Sequence, residues 1–207
     1  MKTFSLNAIQ EDEVAHLWYL ALAGDRSSFQ KLLETTYDLM FQYGHKFSKD
    51  TELVKDAIQD VFLEILEKRH VLNQDIPPKA YLLASLRRRL HRLGNRQRWL
   101  LSGDPVIEST DFDVEFSAED CLIQSEYTRS MGEQMASLMN GLPKRQKEVV
   151  YLRFFENLER DEIAYMMEIR PQSVSNLLQT AFKWLKTQWK PVISFMLPGL
   201  FLDKIIF

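Results

Sequence analysis

Apolar side chains recur at three- and four-residue spacing along most of this chain, and nowhere do apolar and polar residues alternate with the period of two that a half-buried strand needs. The pattern predicts an all-α protein. A first helix is expected near Glu13–Ala23, ended by a break at Gly24 and Asp25. A second begins at Ser27 or Ser28 and turns Phe29, Leu32, Leu33, Thr36, Leu39, Met40 and Tyr43 inward. The third, Thr51–Arg69, sets Val54, Ala57, Ile58, Val61, Phe62, Ile65 and Leu66 on one broad apolar face and leaves Glu52, Asp56, Gln59, Asp60, Leu63 and Glu67 on the other. A fourth, Pro78 to about Arg98, buries Leu83, Leu86, Leu90 and Leu93, with Tyr81, Ser85, Arg88, Arg92 and Arg96 along its outer side.

The second half carries a more specific arrangement. From Leu142 to Lys186 the spacing predicts two short helices across a sharp turn, flanked by helices on both sides. Ile163, Ala164 and Met167 share one face of a helix opened by Glu159 to Glu162, and the small Ala164 lets a neighbour approach closely. The turn falls at Met167 to Arg170. Pro171 suits the first turn of the next helix, where its missing N–H costs nothing, and Val174, Leu177, Leu178 and Ala181 anchor that helix inward. Gln172, Ser173, Ser175, Asn176 and Gln179 are left outside. Amides and hydroxyls so placed bond base edges or phosphate oxygens in a major groove, the work of a recognition helix. A polar surface on an ordinary helical bundle is the plainer reading of the same residues.

Charge sharpens the picture because it is sorted along the chain, although it sums to only −3 over 207 residues. Between Asp75 and Asp104 there is no acid, while Lys79, Arg87, Arg88, Arg89, Arg92, Arg96 and Arg98 all lie there. With Tyr81 on the same helix, unopposed guanidinium groups offer phosphate pairing and a stacking surface for an unstacked base. From Asp104 to Asp120 there is no Lys or Arg, and that acidic, turn-rich stretch reads as a linker. Two small helical domains are therefore expected, at residues 10–100 and 117–188. The linker occupies 101–116, and an apolar tail follows at 189–207. That tail, broken by Pro198 and Gly199, is too short to span a bilayer and is expected to pack back on a domain, tether the two domains in a closed form or seat a regulator. The first residues lack the order of a secretory signal, so the expectation is a soluble, cytoplasmic chain without membrane insertion. The single cysteine, Cys121, excludes an internal disulfide. His16, His45, His70 and His91 lack metal-ligand spacing and no glycine-rich phosphate loop occurs, so no enzyme, metal or cofactor is expected.

The order GDRSSFQKLLETTY, VKDAIQDVFLEILEKR, AYLLASLRRRLHRL, acidic linker, LPKRQKEVVYLRF and helix-turn-helix resembles a bacterial sigma-70-type factor of the extracytoplasmic function (ECF) group, over about residues 18–188. The resemblance implies a sigma region 2-like bundle and a sigma region 4-like helix-turn-helix domain. It implies core RNA polymerase and promoter DNA as partners, with an anti-sigma factor as a further candidate. By the same resemblance Asp56, Gln59, Asp60, Leu63 and Glu67 would dock on polymerase. Asn73 and Gln74, in a loop that holds a flipped base, would meet the proximal promoter element with Lys79, Tyr81, Ser85, Arg88, Arg89 and Arg92. Lys144, Arg145, Arg170, Gln172, Ser173, Ser175, Asn176, Gln179 and Lys183 would meet the distal element. Two departures stand out: Glu168 where the family has a turn glycine, and a recognition helix with no Lys or Arg before Lys183. The competing readings are a stand-alone helix-turn-helix regulator with a sensing or dimerising domain, and a pure interaction protein. Neither uses the acidic helix face, the basic helix and the acidic linker together.

Overall fold

The computed structural model describes the backbone of residues 3–73, 76–102 and 127–188 and the side chains of residues 12–73, 76–94 and 133–188. The described residues form helices α1 (Thr3–Leu22), α2 (Arg26–Gly44), α3 (Thr51–Lys68), α4 (Pro78–Ser102), α5 (Tyr127–Asn140), α6 (Lys144–Phe154), α7 (Arg160–Met167) and α8 (Pro171–Gln188), and no strand. The fold is all-α. Gln74, the acidic stretch Asp104–Asp120, Cys121 and the tail 189–207 lie outside the described residues, as do the side chains of Arg96 and Arg98. Helix α4 runs beyond the expected Arg98 and takes in residues 101 and 102, expected in the linker. The chain divides into two compact units, one gathering α1–α4 with α7, the other α5, α6 and α8.

In the first unit the break between α1 and α2 is made by Gly24, whose φ of 101° is open to glycine and costly for other residues. Asp25 then caps α2, its carboxylate accepting from the Ser28 N–H at 2.9 Å and the Ser28 hydroxyl at 2.5 Å. Those bonds, the hydroxyl's foremost, hold the Asp25 carboxyl below its usual value. Asp50 caps α3 in the same way through the N–H groups of Glu52 and Leu53. Helix α4 packs against α1, α2, α3 and α7 and is therefore buried around most of its circumference. Ala80, Leu82 and Ala84 are as deeply buried as the expected Leu83 and Leu86. Leu93, expected inside, is only half-buried. At Gly44 an added Cβ would sit 2.6 Å from Val54 Cγ1, so the approach of α2 to α3 depends on the missing side chain.

In the second unit Val149, Val150 and Leu152 of α6 and Val174, Ala181 and Leu185 of α8 are buried, and Phe154 meets Phe182 edge-on at 5.5 Å. The buried Tyr151 hydroxyl donates to Glu156 Oε1 at 2.8 Å.

Helix α7 begins with a capping box, in which the Glu159 N–H donates to Glu162 Oε2 at 2.7 Å. It ends on Glu168 in the left-handed conformation, φ 55° and ψ 44°, followed by Ile169, whose N–H reaches back to the Ala164 carbonyl at 3.1 Å. The departure noticed in the sequence is thus a non-glycine residue held where glycine is cheapest. Glu168→Gly should raise stability by about 0.5–1 kcal/mol, the relief of left-handed strain exceeding the added freedom of the unfolded chain. The check is a pair of thermal melts, in which a lower midpoint for the variant would be the contrary result.

Candidate polymerase and promoter surfaces

Helix α3 presents its outward stripe as expected, with one exception. Asp56, Gln59, Leu63 and Glu67 follow one another at four- and three-residue spacing and all are exposed. Leu63 is 48 % exposed, and Leu66, expected in the core, and Val71 are exposed as well, at 38 % and 70 %. Apolar groups left in water together and rimmed by carboxylates form a surface suited to a protein partner. Asp60 is the exception. It is half-buried and forms an ion pair with Arg89 of α4, joining residues 29 positions apart.

That pair corrects the basic helix as well. Arg89 was expected on promoter DNA, yet its guanidinium serves Asp60, and its Nε is buried without a hydrogen-bond partner among the described residues. Arg87 is buried, so the row of unopposed charges read from the sequence does not exist as such. What remains is a stripe of Tyr81, Ser85, Arg88 and Arg92 at four-, three- and four-residue spacing. Arg88 Nη2 donates to Ser85 Oγ at 3.2 Å. In the same unit Arg88 Nη1 stands 3.6 Å from Glu168 Oε1, and both side chains are more than a third exposed, so solvent screens the pair. The Tyr81 ring is not an open stacking platform either. It packs on Trp18 of α1 at 5.2 Å, and burial pushes its phenol above the usual value, with the Ser85 hydrogen bond offsetting part of the rise. Arg92 is exposed, Lys79 is half-exposed, and Asn73 is exposed in the loop before α4.

Asp60→Ala should lower stability by about 0.5–1 kcal/mol, because the pair joins α3 to α4 but both side chains are about a third exposed and solvent screens them. The exchanged pair, Asp60→Arg with Arg89→Asp, should recover part of the loss. A double-mutant cycle in chemical denaturation measures the coupling; additive losses would mean the two charges do not support one another.

Along α8, Gln172, Asn176, Gln179, Thr180 and Lys183 are exposed in a single stripe, with Pro171 exposed just before it and Lys186, Thr187 and Gln188 exposed at the far end. Ser173 and Ser175, expected outside, are half-buried, as are the expected anchors Leu177 and Leu178. Gln172 Nε2 donates to Asn176 Oδ1 at 3.1 Å. Arg170 is exposed just ahead of the helix, and Lys144 and Arg145 are exposed at the start of α6.

The family profile for sigma-70 region 2 matches residues 32–100, and that for sigma-70 region 4 matches residues 132–185, together well over half of the chain. The chain belongs to the sigma-70 family, ECF group. Two solved structures resemble this sigma factor in fold. CnrH, solved in complex with the cytosolic domain of CnrY, is 16 % identical with a TM-score of 0.56, the match covering 85 % of this chain and 96 % of that one. The sigma factor RpoE, in complex with the anti-sigma factor NepR from Bartonella quintana, is 17 % identical with a TM-score of 0.53, covering 79 % and 98 %. No curated protein sequence matches.

A sigma factor binds core RNA polymerase and promoter DNA and directs transcription initiation. In this one the α3 and α4 stripes both fall within region 2, and the whole of α6, α7 and α8 up to Leu185 falls within region 4. Helix, left-handed turn and helix follow one another in region 4 as a helix-turn-helix requires. Among the described residues no helix is long and apolar enough to cross a membrane.

Proposed function

We propose that this sigma factor docks on core polymerase through the α3 stripe of Asp56, Gln59, Leu63 and Glu67, extended by Leu66 and Val71. The observation that carries the assignment is the exposure of Leu63, Leu66 and Val71 beside two carboxylates: left bare, that area exposes apolar surface to water, and a partner that buries it gains about 25 cal/mol per Å². Asp60 acts from behind this surface, fixing α3 to α4, and is not itself a contact.

The proximal promoter strand then runs along Asn73, Gln74, Lys79, Ser85, Arg88 and Arg92, where cations meet phosphates, with Tyr81 as an edge held by Trp18. The distal element lies against Gln172, Asn176 and Gln179, with Arg170, Lys183, Lys144 and Arg145 on its phosphates and Ser173 and Ser175 at the margin. Residues 10–100 and 117–188 act as the two working domains. The acidic linker between them suits a basic channel of the polymerase. The factor works in the cytoplasm and needs no catalytic group or cofactor, since its task is binding and strand capture. The NepR complex of RpoE supports an anti-sigma partner for this chain too.

Reconstitution with core polymerase tests the assignment. The factor should co-elute with core enzyme and confer promoter-specific transcription from duplex templates, with footprints over two separated elements. A chain that protects an operator alone and ignores polymerase would instead be a stand-alone regulator.

A further inference from the structure

The first two turns of α8 carry no formal charge, and a hydrogen bond joins the exposed amides of Gln172 and Asn176. With the Gln172 amide donating, Gln172 Oε1 remains as an outward acceptor and Asn176 Nδ2 as an outward donor. Reversing both amides exchanges the roles, leaving Gln172 with the outward amino group and Asn176 with the outward carbonyl. The unit therefore shows a neighbouring base both an acceptor and a donor. Adenine offers the match in the major groove, an N6 amino donor beside an N7 acceptor. Guanine does not: its N7 and O6 are both acceptors, so the carbonyl of the amide pair would face a lone pair. The usual partner of guanine is Arg or Lys, and α8 has neither on its exposed stripe until Lys183, eleven residues beyond Gln172.

We propose that Gln172 and Asn176 together read adenine in the distal promoter element and discriminate there against guanine. The inference rests on the reading that α8 enters the major groove of that element. Ordering two long amides in advance lowers the entropy lost on binding, which strengthens discrimination without any charge. Affinity comes from elsewhere, from Arg170 ahead of the helix and Lys183 and Lys186 at its far end, all exposed.

The test uses reconstituted holoenzyme and duplex promoters in which each distal base pair is varied in turn. At one position, or two adjacent ones, replacing A·T by G·C should cut open-complex formation about 10-fold. Substituting 7-deazaadenine there, which removes only N7, should cost the native factor a similar factor and cost almost nothing to the variant that lacks the N7 donor, Asn176→Ala or, with the amides reversed, Gln172→Ala. Gln172→Arg should move the preference toward guanine at the same position. Equal tolerance of adenine and guanine at every distal position, or a 7-deazaadenine penalty that survives both Asn176→Ala and Gln172→Ala, overturns the inference while leaving the docking of α8 intact. Absence of any distal footprint overturns the inference and the underlying placement of α8 together, and the two failures are thereby distinguished.

Discussion

Changing Leu63 to Asp should weaken binding to core polymerase about 30-fold, roughly the 2 kcal/mol that separates an interface anchor from a peripheral contact. Promoter-specific transcription at limiting factor should fall with it. The fold should hardly notice, because the side chain already stands half in water. A carboxylate in its place must be stripped of water when the apolar surface closes, a cost no neighbouring cation on α3 offsets, since the stripe itself contains Asp56 and Glu67. Leu63→Met keeps the apolar character and should bind within about threefold of the native factor. Fluorescence anisotropy with labelled factor gives the affinity and a thermal melt gives the stability. If Leu63→Asp binds normally, the docking surface lies on another element.

Trp18→Ala acts on the opposite quantity. The indole is 1 % exposed and fills the space between α1 and α4, so its removal should destabilise the first unit by about 3–5 kcal/mol, a large share of what a domain of this size possesses. Guanidinium unfolding of Trp18→Ala, with Trp18→Phe as the intermediate, measures it; a loss below about 1 kcal/mol would contradict the packing. The substitution also bares Tyr81. In the native chain burial favours the neutral phenol, so this contribution to stability is complete below the unfolded tyrosine value and declines as pH rises from there toward the raised folded value. An ultraviolet titration of Trp18→Ala should show the Tyr81 phenol returning toward its usual range.

Helix α3 was legible because it meets water on one side, and a single apolar stripe then suffices to orient it. Its margin was not: Leu66 satisfies the spacing of the buried row, yet it is left 38 % exposed among the described residues, and periodicity alone cannot locate the edge of a neighbour. Helix α4 was misread for the opposite reason. A helix contacted from several directions has no polar back, so Leu82 and Ala84, assigned nowhere, are as buried as Leu83. The same enclosure brings Arg89 against Asp60 and Tyr81 against Trp18, pairings between residues far apart in sequence that no local pattern encodes. The turn of region 4 was the best-specified element, since Pro171 and the αL demand at Glu168 are both local backbone facts.

The uncharged opening of α8 has a consequence for how the factor behaves in different ionic surroundings. Each phosphate neutralised by a lysine or arginine sets free condensed counterions, and affinity then falls steeply as salt rises. Amides facing base edges liberate almost none. Selection among distal sequences by this factor should persist when a cell concentrates its potassium, even as overall grip on the duplex loosens.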